Sequence, residues 1–538
     1  MSSLYILFIT LACFVLGYRF YSRRVAGLFG LDARRQTPAL SRGDGVDYVP
    51  ARNWFVLFGH HFASIAGAGP IIGPIIAAVY WGWLPALLWI VLGTIFVGAV
   101  HDFGVLMVSL RQGGCSIAQV SQQAISRRAR IIFSLFVWLA LILVIGVFLY
   151  LCVNTFVHQP MVVLPSLGLI PVALLTGFLL YRVKMGMVPV TIIGLLSLIA
   201  LIIGGTIFPV GLGPSAQLIW SAVLLLYCFF ASVLPVNVLL QPRDYLCGYL
   251  LFLGLAAGFI GLCWNHPQIN FPAYTSWNTQ QGAFWPFAFI IVACGAVSGF
   301  HALIAGGTTA KQLPNERYAR RIGYGAMVCE GVVAVLVVLA LGSIVGDDNL
   351  VGLLKDIGPV RMFGRGFGAL TDKLFFGLGG FVAITVLNAF ILTTLDTATR
   401  IGRYLTQELF GIKSRYLATF IVVLLSGALA FSGQWQRIWP AFGAANQLTA
   451  ALALTVVSCY LFSRGQKIKI VLLPALFMFG TTFVALLLQL RRFFAQRDYV
   501  LLVIIGVLIV LSLIMAVETI KALASPGQRL LPRGLDEK

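Results

Sequence analysis

The amino-acid sequence predicts an all-α polytopic membrane protein of about 15 transmembrane helices, arranged as a five-plus-five inverted repeat with extra flanking helices. Three observations predict it: too few charges to coat a soluble globule, apolar runs of span length from end to end, and basic residues that fall in alternate loops.

Of 538 residues, 60% are apolar and only 10% charged, and the mean hydropathy is +0.96. An ordinary soluble domain is about 25% charged because its surface faces water. Most of this surface must face lipid instead. The formal charge of +20 would point to nucleic acid in a soluble protein. Here the positive residues cluster in short loops and read as topology signals, so the expected partner is the bilayer and no nucleic acid is expected. Nine cysteines are scattered through the chain, most within apolar runs, and none forms a CxxC pair. They read as small hydrophobes, with neither a disulfide framework nor a zinc site implied.

A span needs about 20 apolar residues. The runs that qualify are 4–20, 54–80, 84–109, 131–152, 161–180, 188–208, 217–241, 245–264, 284–306, 321–346, 374–396, 416–432, 441–462, 470–490 and 499–520. The first has no basic residue ahead of it and no small-x-small cleavage site, so it is expected to be a span and not a leader. Basic residues then mark every second loop: Arg19 to Arg52, Arg111 to Arg130, Arg182 and Lys184, Arg243, Lys311 to Arg320, Arg400 to Arg415, and Arg464 to Lys469. The loops at 81–83, 153–160, 209–216 and 265–283 are uncharged, 347–373 is mixed and acidic enough to sit outside, and Arg491, Arg492 and Arg497 break the pattern. Inner-membrane placement follows, with a periplasmic N-terminus and a cytoplasmic C-terminus.

The order of spans suggests the repeat. Residues 1–53 hold one helix and a basic loop; 54–208 form a first five-helix repeat and 217–396 a second, inverted one; 416–520 add four helices and 521–538 a tail. An odd-numbered unit inserts its second copy upside down. Each unit opens on a helix interrupted by Gly and Pro, GAGPIIGP (67–74) and LPVNVLLQP (234–242). Paired breaks at matching positions point to a site at mid-bilayer. Gly and Pro are also frequent in membrane helices for their own sake.

Candidate substrate contacts are Gly67, Ala68, Gly69 and Pro70 in the first break, Pro235 and Asn237 in the second, and Ser298 and His301. Main-chain groups freed at a break need a partner, and a half-helix N-terminus favours a carboxylate. Gly69 and Gly73 also form a GxxxG pair that could serve packing alone. Candidate cation-coupling residues are His101, Asp102, Thr308, Thr309, Glu330 and Asp396. Ionisable groups inside a membrane are costly, and a His–Asp pair could relay protons. The hydroxyls of Thr308 and Thr309 could bind Na⁺ or simply bond back to their own helix. Asp396 stands four residues from Arg400 and could pair with it. Glu330 has no partner near in sequence, so it either couples protons or pairs with another helix. Beyond H⁺ or Na⁺ no cofactor is expected, and no HExxH or other metal-ligand spacing occurs.

GHHFASIAGAGPIIGP (59–74), GAVHDFGVLMVSLRQGGCSI (98–117), PVNVLLQPRDYL (235–246), ACGAVSGFHALIAGGTTAKQL (293–313), RIGYGAMVCEG (321–331), TTLDTATRIGRY (393–404) and IWPAFGAANQLTAALAL (438–454) stand in the order of a known family. Over about 53–460 the chain resembles the carbon starvation protein A family of bacterial peptide transporters. The resemblance implies peptide uptake during carbon starvation, with proton-coupled pyruvate carriers as close relatives. It also implies the five-plus-five fold of the amino acid–polyamine–organocation superfamily. The expected function is therefore a secondary active carrier of peptides, with a proton-coupled carrier of pyruvate or another small carboxylate as the second reading and a passive channel as the third. No Walker A sequence supplies ATP drive, and no catalytic triad or metal motif suggests an enzyme.

Overall fold

Helices form along the apolar runs and stop at Gly, Pro or a capping Ser or Asn; a computed structural model describes them over residues 2–45, 48–235, 238–344, 349–431 and 435–524. α1 (Ser3–Leu16) passes through a π turn into α2 (Ser22–Phe29), and one turn, α3 (Pro38–Ser41), lies in the basic loop beyond. α4 (Trp54–Ile65), capped by Asn53, and α5 (Gly69–Trp81) form one span bent by 47°. α6 (Trp83–Gly93) continues through a π turn into α7 (Ala99–Arg111), and a Ser116/Gln119 capping box starts α8 (Ile117–Ala124). α9 (Arg127–His158), α10 (Val163–Tyr181), α11 (Met187–Ile207), α12 (Ala216–Val233) and α13 (Leu240–Asn265) follow.

After a small hairpin at 278–283, the next span is in three pieces: α14 (Phe284–Ile291), α15 (Ala293–Ala296) and α16 (Gly299–Gly307). The rest are α17 (Ala319–Leu341), α18 (Leu350–Thr371), α19 (Gly379–Phe410), α20 (Arg415–Phe431), α21 (Trp435–Ser463), α22 (Lys469–Ala495) and α23 (Tyr499–Ala524).

Among the described residues, 12 helices are long and apolar enough to cross a membrane, or 13 if the bent α4–α5 pair is one span. The expected number of about fifteen is not reached, for two reasons. The run at 284–306 is divided into short pieces, and α20 has only 17 residues. A second difference runs the other way. The loop expected at 347–373 contains α18, whose Phe363, Phe367 and Leu370 are buried against α5, α13, α17 and α19. Lys355, Asp356, Arg361 and Arg365 break its apolar run, and Gly358 kinks it with φ of 74°.

Position relative to lipid follows burial. In the most apolar window of Ile438–Ser463, 94% of residues are buried, against 17% for Met187–Ile207. α21 is therefore central, whereas α11 shows Ile192, Leu196, Ile199 and Ile203 to the outside. Such an apolar exterior is stable only in hydrocarbon.

The second interruption also lies elsewhere than expected. Leu234 and Pro235 follow the end of α12, and Leu240, Gln241 and Pro242 already open α13, so the LPVNVLLQP run falls between two separate helices. The interrupted partner of α4–α5 is α14–α16, where Val297 and Ser298 are extended. No proline marks that break; Gly295, Ser298 and Gly299 do. Around the two broken spans stand α7 and α17, while α9, α12, α19 and α20 pack as a second group. α13 lies along α4, and α21 lies along α14 and α16.

Candidate functional site

The first break follows from local chemistry. Gly67 N–H turns back to Ile65 O (2.8 Å), Pro70 has no N–H to offer, and α5 restarts with Ile71 and Ile72 bonded to Ala68 O. α5 then lies against α14–α15 almost backbone to backbone. A Cβ on Gly69 would sit 2.3 Å from the Cβ of Cys294, and one on Gly73 would sit 2.3 Å from Ile291 O. The GxxxG pair therefore packs helices. Gly67 has a different role: its Cβ would meet Thr394 Oγ1 at 2.7 Å, across a cavity.

That cavity lies where the two breaks meet. Its walls include Ile65, Gly67 and Gly69 from one broken span, Ser298 and Phe300 from the other, and Phe148, Thr394 and Phe442 from neighbours. Its volume is about 10 Å³, which is room for one water at most. The N-terminal ends of α5 and α16 both border it, so the positive ends of two helix dipoles converge there. Asn446 of α21 stitches the second break: it accepts from Phe300 N–H (2.9 Å) and donates to Ser298 Oγ (3.1 Å).

Two buried polar networks flank the cavity. In the first, Asp102 lies between two imidazoles, with His101 Nδ1 at 2.7 Å and His301 Nδ1 at 2.8 Å. His301 Nε2 is 3.2 Å from Glu330, close enough for ion pairing although not aligned as a hydrogen bond. All four side chains are fully buried. His61 joins Thr309 Oγ1 at 2.8 Å nearby.

The second network crosses five elements. Gln312 Nε2 lies 3.3 Å from His60 Nε2, and His60 Nδ1 lies 2.9 Å from Asp244. Arg243 Nη2 donates to Asp244 (3.2 Å) and its Nη1 donates to Asp396, which also accepts from Tyr227 Oη at 2.7 Å. Arg243 is 1% exposed, and both aspartates are fully buried. Two carboxylates share one guanidinium, so this cluster is neutral only when His60 or one aspartate carries an extra proton.

Two vestibules approach the cavity from opposite ends. On the face bearing the basic loops, a space of about 250 Å³ is floored by His60, Gln241 and Gln312. At the other end, about 160 Å³ lies between His158 and Asn154 of α9 and Lys355, Asp356 and Arg361 of α18. Along α9, Phe148 separates that outer space from the cavity, and its ring packs edge-on against Phe442 at 5.8 Å. The site is shut on both sides.

The structure brings Gly67, Gly69 and Ser298 to the cavity wall, with Ala68 and Pro70 in the adjoining turn. His301 lies behind the wall, in the network with His101, Asp102 and Glu330. Thr309 reaches His61, whereas Thr308 bonds back to Ile304 O (2.9 Å). Pro235 does not reach the cavity; it is exposed in the α12–α13 joint. Asn237 lies outside the described residues. Asp396 takes Arg243 as its partner, while Arg400 donates to Ala231 O and Leu234 O at the end of α12. Arg243, Asp244, Tyr227, Thr394 and Asn446 are functional candidates that spacing alone did not single out. The RDYL run (243–246) and the AANQL run (444–448) were their available signals, as charged or amide groups within apolar stretches.

A profile of the family described as carbon starvation protein CstA matches residues 2–351 and 348–485. The chain is 32% identical over 590 residues to the pyruvate/proton symporter BtsT of Escherichia coli K12, covering 91% of this chain and 82% of that one. It is 33% identical over 548 residues to the peptide transporter CstA of the same organism, covering 87% and 78%. Against the peptide transporter CstA of Helicobacter pylori 26695 it is 33% identical over 556 residues, covering 88% and 80%. A crystal structure of a mutant manganese transporter from Eremococcus coleocola overlays with a TM-score of 0.52 at 12% identity, covering 89% of this chain and 99% of that one. That likeness is one of fold alone.

Proposed function

The chain belongs to the carbon starvation protein CstA family, and from that premise we propose that it is a secondary active transporter importing peptides across the bacterial inner membrane, coupled to protons and working by alternating access. One observation carries the reading. Two interrupted helices enclose a shut cavity between two vestibules that open to opposite faces. A channel needs a continuous path, whereas a carrier passes through a state closed on both sides.

The packing supports a revised repeat. One unit comprises α4–α5, α6–α7, α9, α12 and α13, with the α10–α11 hairpin inserted. The other comprises α14–α16, α17, α19, α20 and α21, with α18 inserted. In each, a broken helix comes first and the last helix lies along a broken span, α13 on α4 and α21 on α16. The basic-loop face is cytoplasmic in this reading, which leaves the N-terminus periplasmic. Backbone amides at the starts of α5 and α16 would hold carbonyl or carboxylate oxygens, with Ser298 beside them. The His101–Asp102–His301–Glu330 chain would carry the proton, since each member can change its charge state inside a sealed region.

Uptake into proteoliposomes tests this. Labelled dipeptide and labelled pyruvate are supplied in parallel under an inward proton gradient. Saturable dipeptide accumulation with counterflow supports the proposal. Accumulation of pyruvate alone would replace the substrate with that of the symporter relative. Flux without saturation or counterflow would replace the carrier with a channel.

A further inference from the structure

The vestibule on the basic-loop face is joined to the cavity by α4. Ile65 stands in the cavity wall, and His60, five residues earlier on the same helix, floors the vestibule. About 7 Å of helix therefore separates the two spaces. The cavity measures about 10 Å³ and the vestibule about 250 Å³, so of these two spaces the vestibule is the one with room for more than a water.

Three features give the vestibule its chemistry. Its floor is an amide cluster: Gln241 Nε2 donates to Gln312 Oε1 (3.2 Å), and Gln312 Nε2 lies 3.3 Å from His60 Nε2. Its rim carries Arg52. Ala51 N–H donates to Gln312 O (2.8 Å) and Asn53 accepts from Val56 N–H (2.9 Å), so the backbone is anchored on both sides of that arginine. Arg52 is exposed, and among the described residues no ion pair or hydrogen bond engages its guanidinium. A role as a topology signal accounts for the sign of this charge but not for its place on the rim of a pocket.

The third feature is the surrounding field. Val56 in the first turn of α4, Met187 at the start of α11, and Gln241 and Pro242 in the first turn of α13 all line the space. The positive ends of three helices thus point at one vestibule, and no side chain caps α11 or α13. Among the described residues that line it none is acidic; Asp244 is fully buried and bonded to His60. The outer vestibule is different, for there Asp356 stands with Lys355 and Arg361.

We propose that the inner vestibule is a second solute station, an exit subsite in which Arg52 and the positive ends of α4, α11 and α13 hold the solute's carboxylate. The apolar part of the solute rests on Val56, Leu180 and Met187. A guanidinium suits this task because its fork of donors matches a carboxylate. The inference rests on the transport reading above and gives it a sidedness: the basic-loop face binds carboxylates at a station of one sign, and the other face does not. A carboxylate is common to a peptide and to pyruvate, so the subsite serves either solute.

The test uses the full chain in right-side-out and inside-out membrane vesicles, with exchange of labelled dipeptide or labelled pyruvate, whichever wild type carries. Inside-out vesicles present the basic-loop face to the medium. There Arg52→Gln should raise the half-saturating concentration by about tenfold, as for one charge-assisted hydrogen bond lost, with a smaller rise in right-side-out vesicles. Arg52→Lys keeps the charge and should fall between wild type and Arg52→Gln. Arg128→Gln removes an exposed charge of the same face that does not line the vestibule, and should match wild type. The carboxamide of the carried solute, added as a competitor to inside-out vesicles, should lose far less affinity than the acid on Arg52→Gln. An equal rise on both faces, a rise in Arg128→Gln as large as in Arg52→Gln, or equal weakening of acid and amide would each overturn the proposal. If wild type exchanges neither solute, the transport reading falls and this one with it. If wild type exchanges one and Arg52→Gln equals it in inside-out vesicles, only this one falls.

Discussion

Adding a single methyl at Gly67 is the sharpest perturbation that the cavity offers. In Gly67→Ala the new Cβ would lie 2.7 Å from Thr394 Oγ1 and 3.2 Å from the Phe148 ring, in a space of about 10 Å³. Gly67 is not among the glycines with positive φ, so the penalty is contact and not backbone strain. Overpacking of this kind costs about 1–3 kcal/mol. If it falls on the closed state alone, the population of that state drops by about 5- to 150-fold. Removing the opposing oxygen should relieve it. Among the described residues Thr394 Oγ1 bonds back to Phe390 O on its own helix (3.0 Å), so Thr394→Ala loses little by itself. The expected order of counterflow rates is therefore wild type close to Thr394→Ala, then Gly67→Ala/Thr394→Ala, with Gly67→Ala lowest. Gly67→Ala/Thr394→Ser keeps the hydroxyl and should not be rescued. Equal rates in wild type and Gly67→Ala, or equal rescue by Ser and Ala, would refute the closed-cavity reasoning.

Glu330→Gln should reduce gradient-driven uptake more than counterflow, because an amide still faces His301 but cannot exchange a proton; equal losses in the two assays would make Glu330 structural. Asp102→Asn leaves two buried imidazoles without their shared carboxylate, and loss of one partner from a buried pair costs about 3–5 kcal/mol. A thermal-unfolding scan in detergent should show a clearly lower midpoint, and an unchanged one would mean that the network contributes nothing to folding. Gly261→Ala would place a Cβ 2.3 Å from Leu370 O, whereas Gly254→Ala meets nothing within 4 Å. The same scan should therefore separate the two, and equal midpoints would argue against α18 being packed on α13.

Most spans were legible because run length is a local property: α9, α11, α17 and α22 fall where twenty apolar residues stand together. α18 was hidden because Lys355, Asp356, Arg361 and Arg365 interrupt its run, although one face still supplies Phe363, Phe367 and Leu370 to the interior. The first break was visible through its prolines. The second was not, because Val297 and Ser298 leave the helix without a proline, while Pro235 and Pro242 stand where two separate helices end and begin. Pairing was the least legible level. Asp396 has a guanidinium four residues along its own helix, yet its partner Arg243 is 153 residues distant. In one dimension Arg243 looks like any other loop arginine that marks the inner side. Only the packing of α13 on α19 shows that it is enclosed.

The four glycine contacts around the breaks also differ in how much slack they leave. A Cβ would collide with Cys294 or Ile291 from α5, and with Asn446 O at 2.2 Å from Gly299 of α16, whereas on Gly59 of α4 it would meet nothing. α5 and α16 are thus wedged, whereas α4 rests on α13 through Gly59 and Gly248, where a Cβ on Gly248 would lie 3.3 Å from Gly59 Cα, and through side-chain contacts such as His60–Asp244. Twelve residues long, α4 is a lever of about 18 Å pivoting at 66–68, and a swing of about 20° would carry its free end about 6 Å. A small rotation at one joint would then reshape the vestibule, carrying with it the helix that packs most closely on α4, α13.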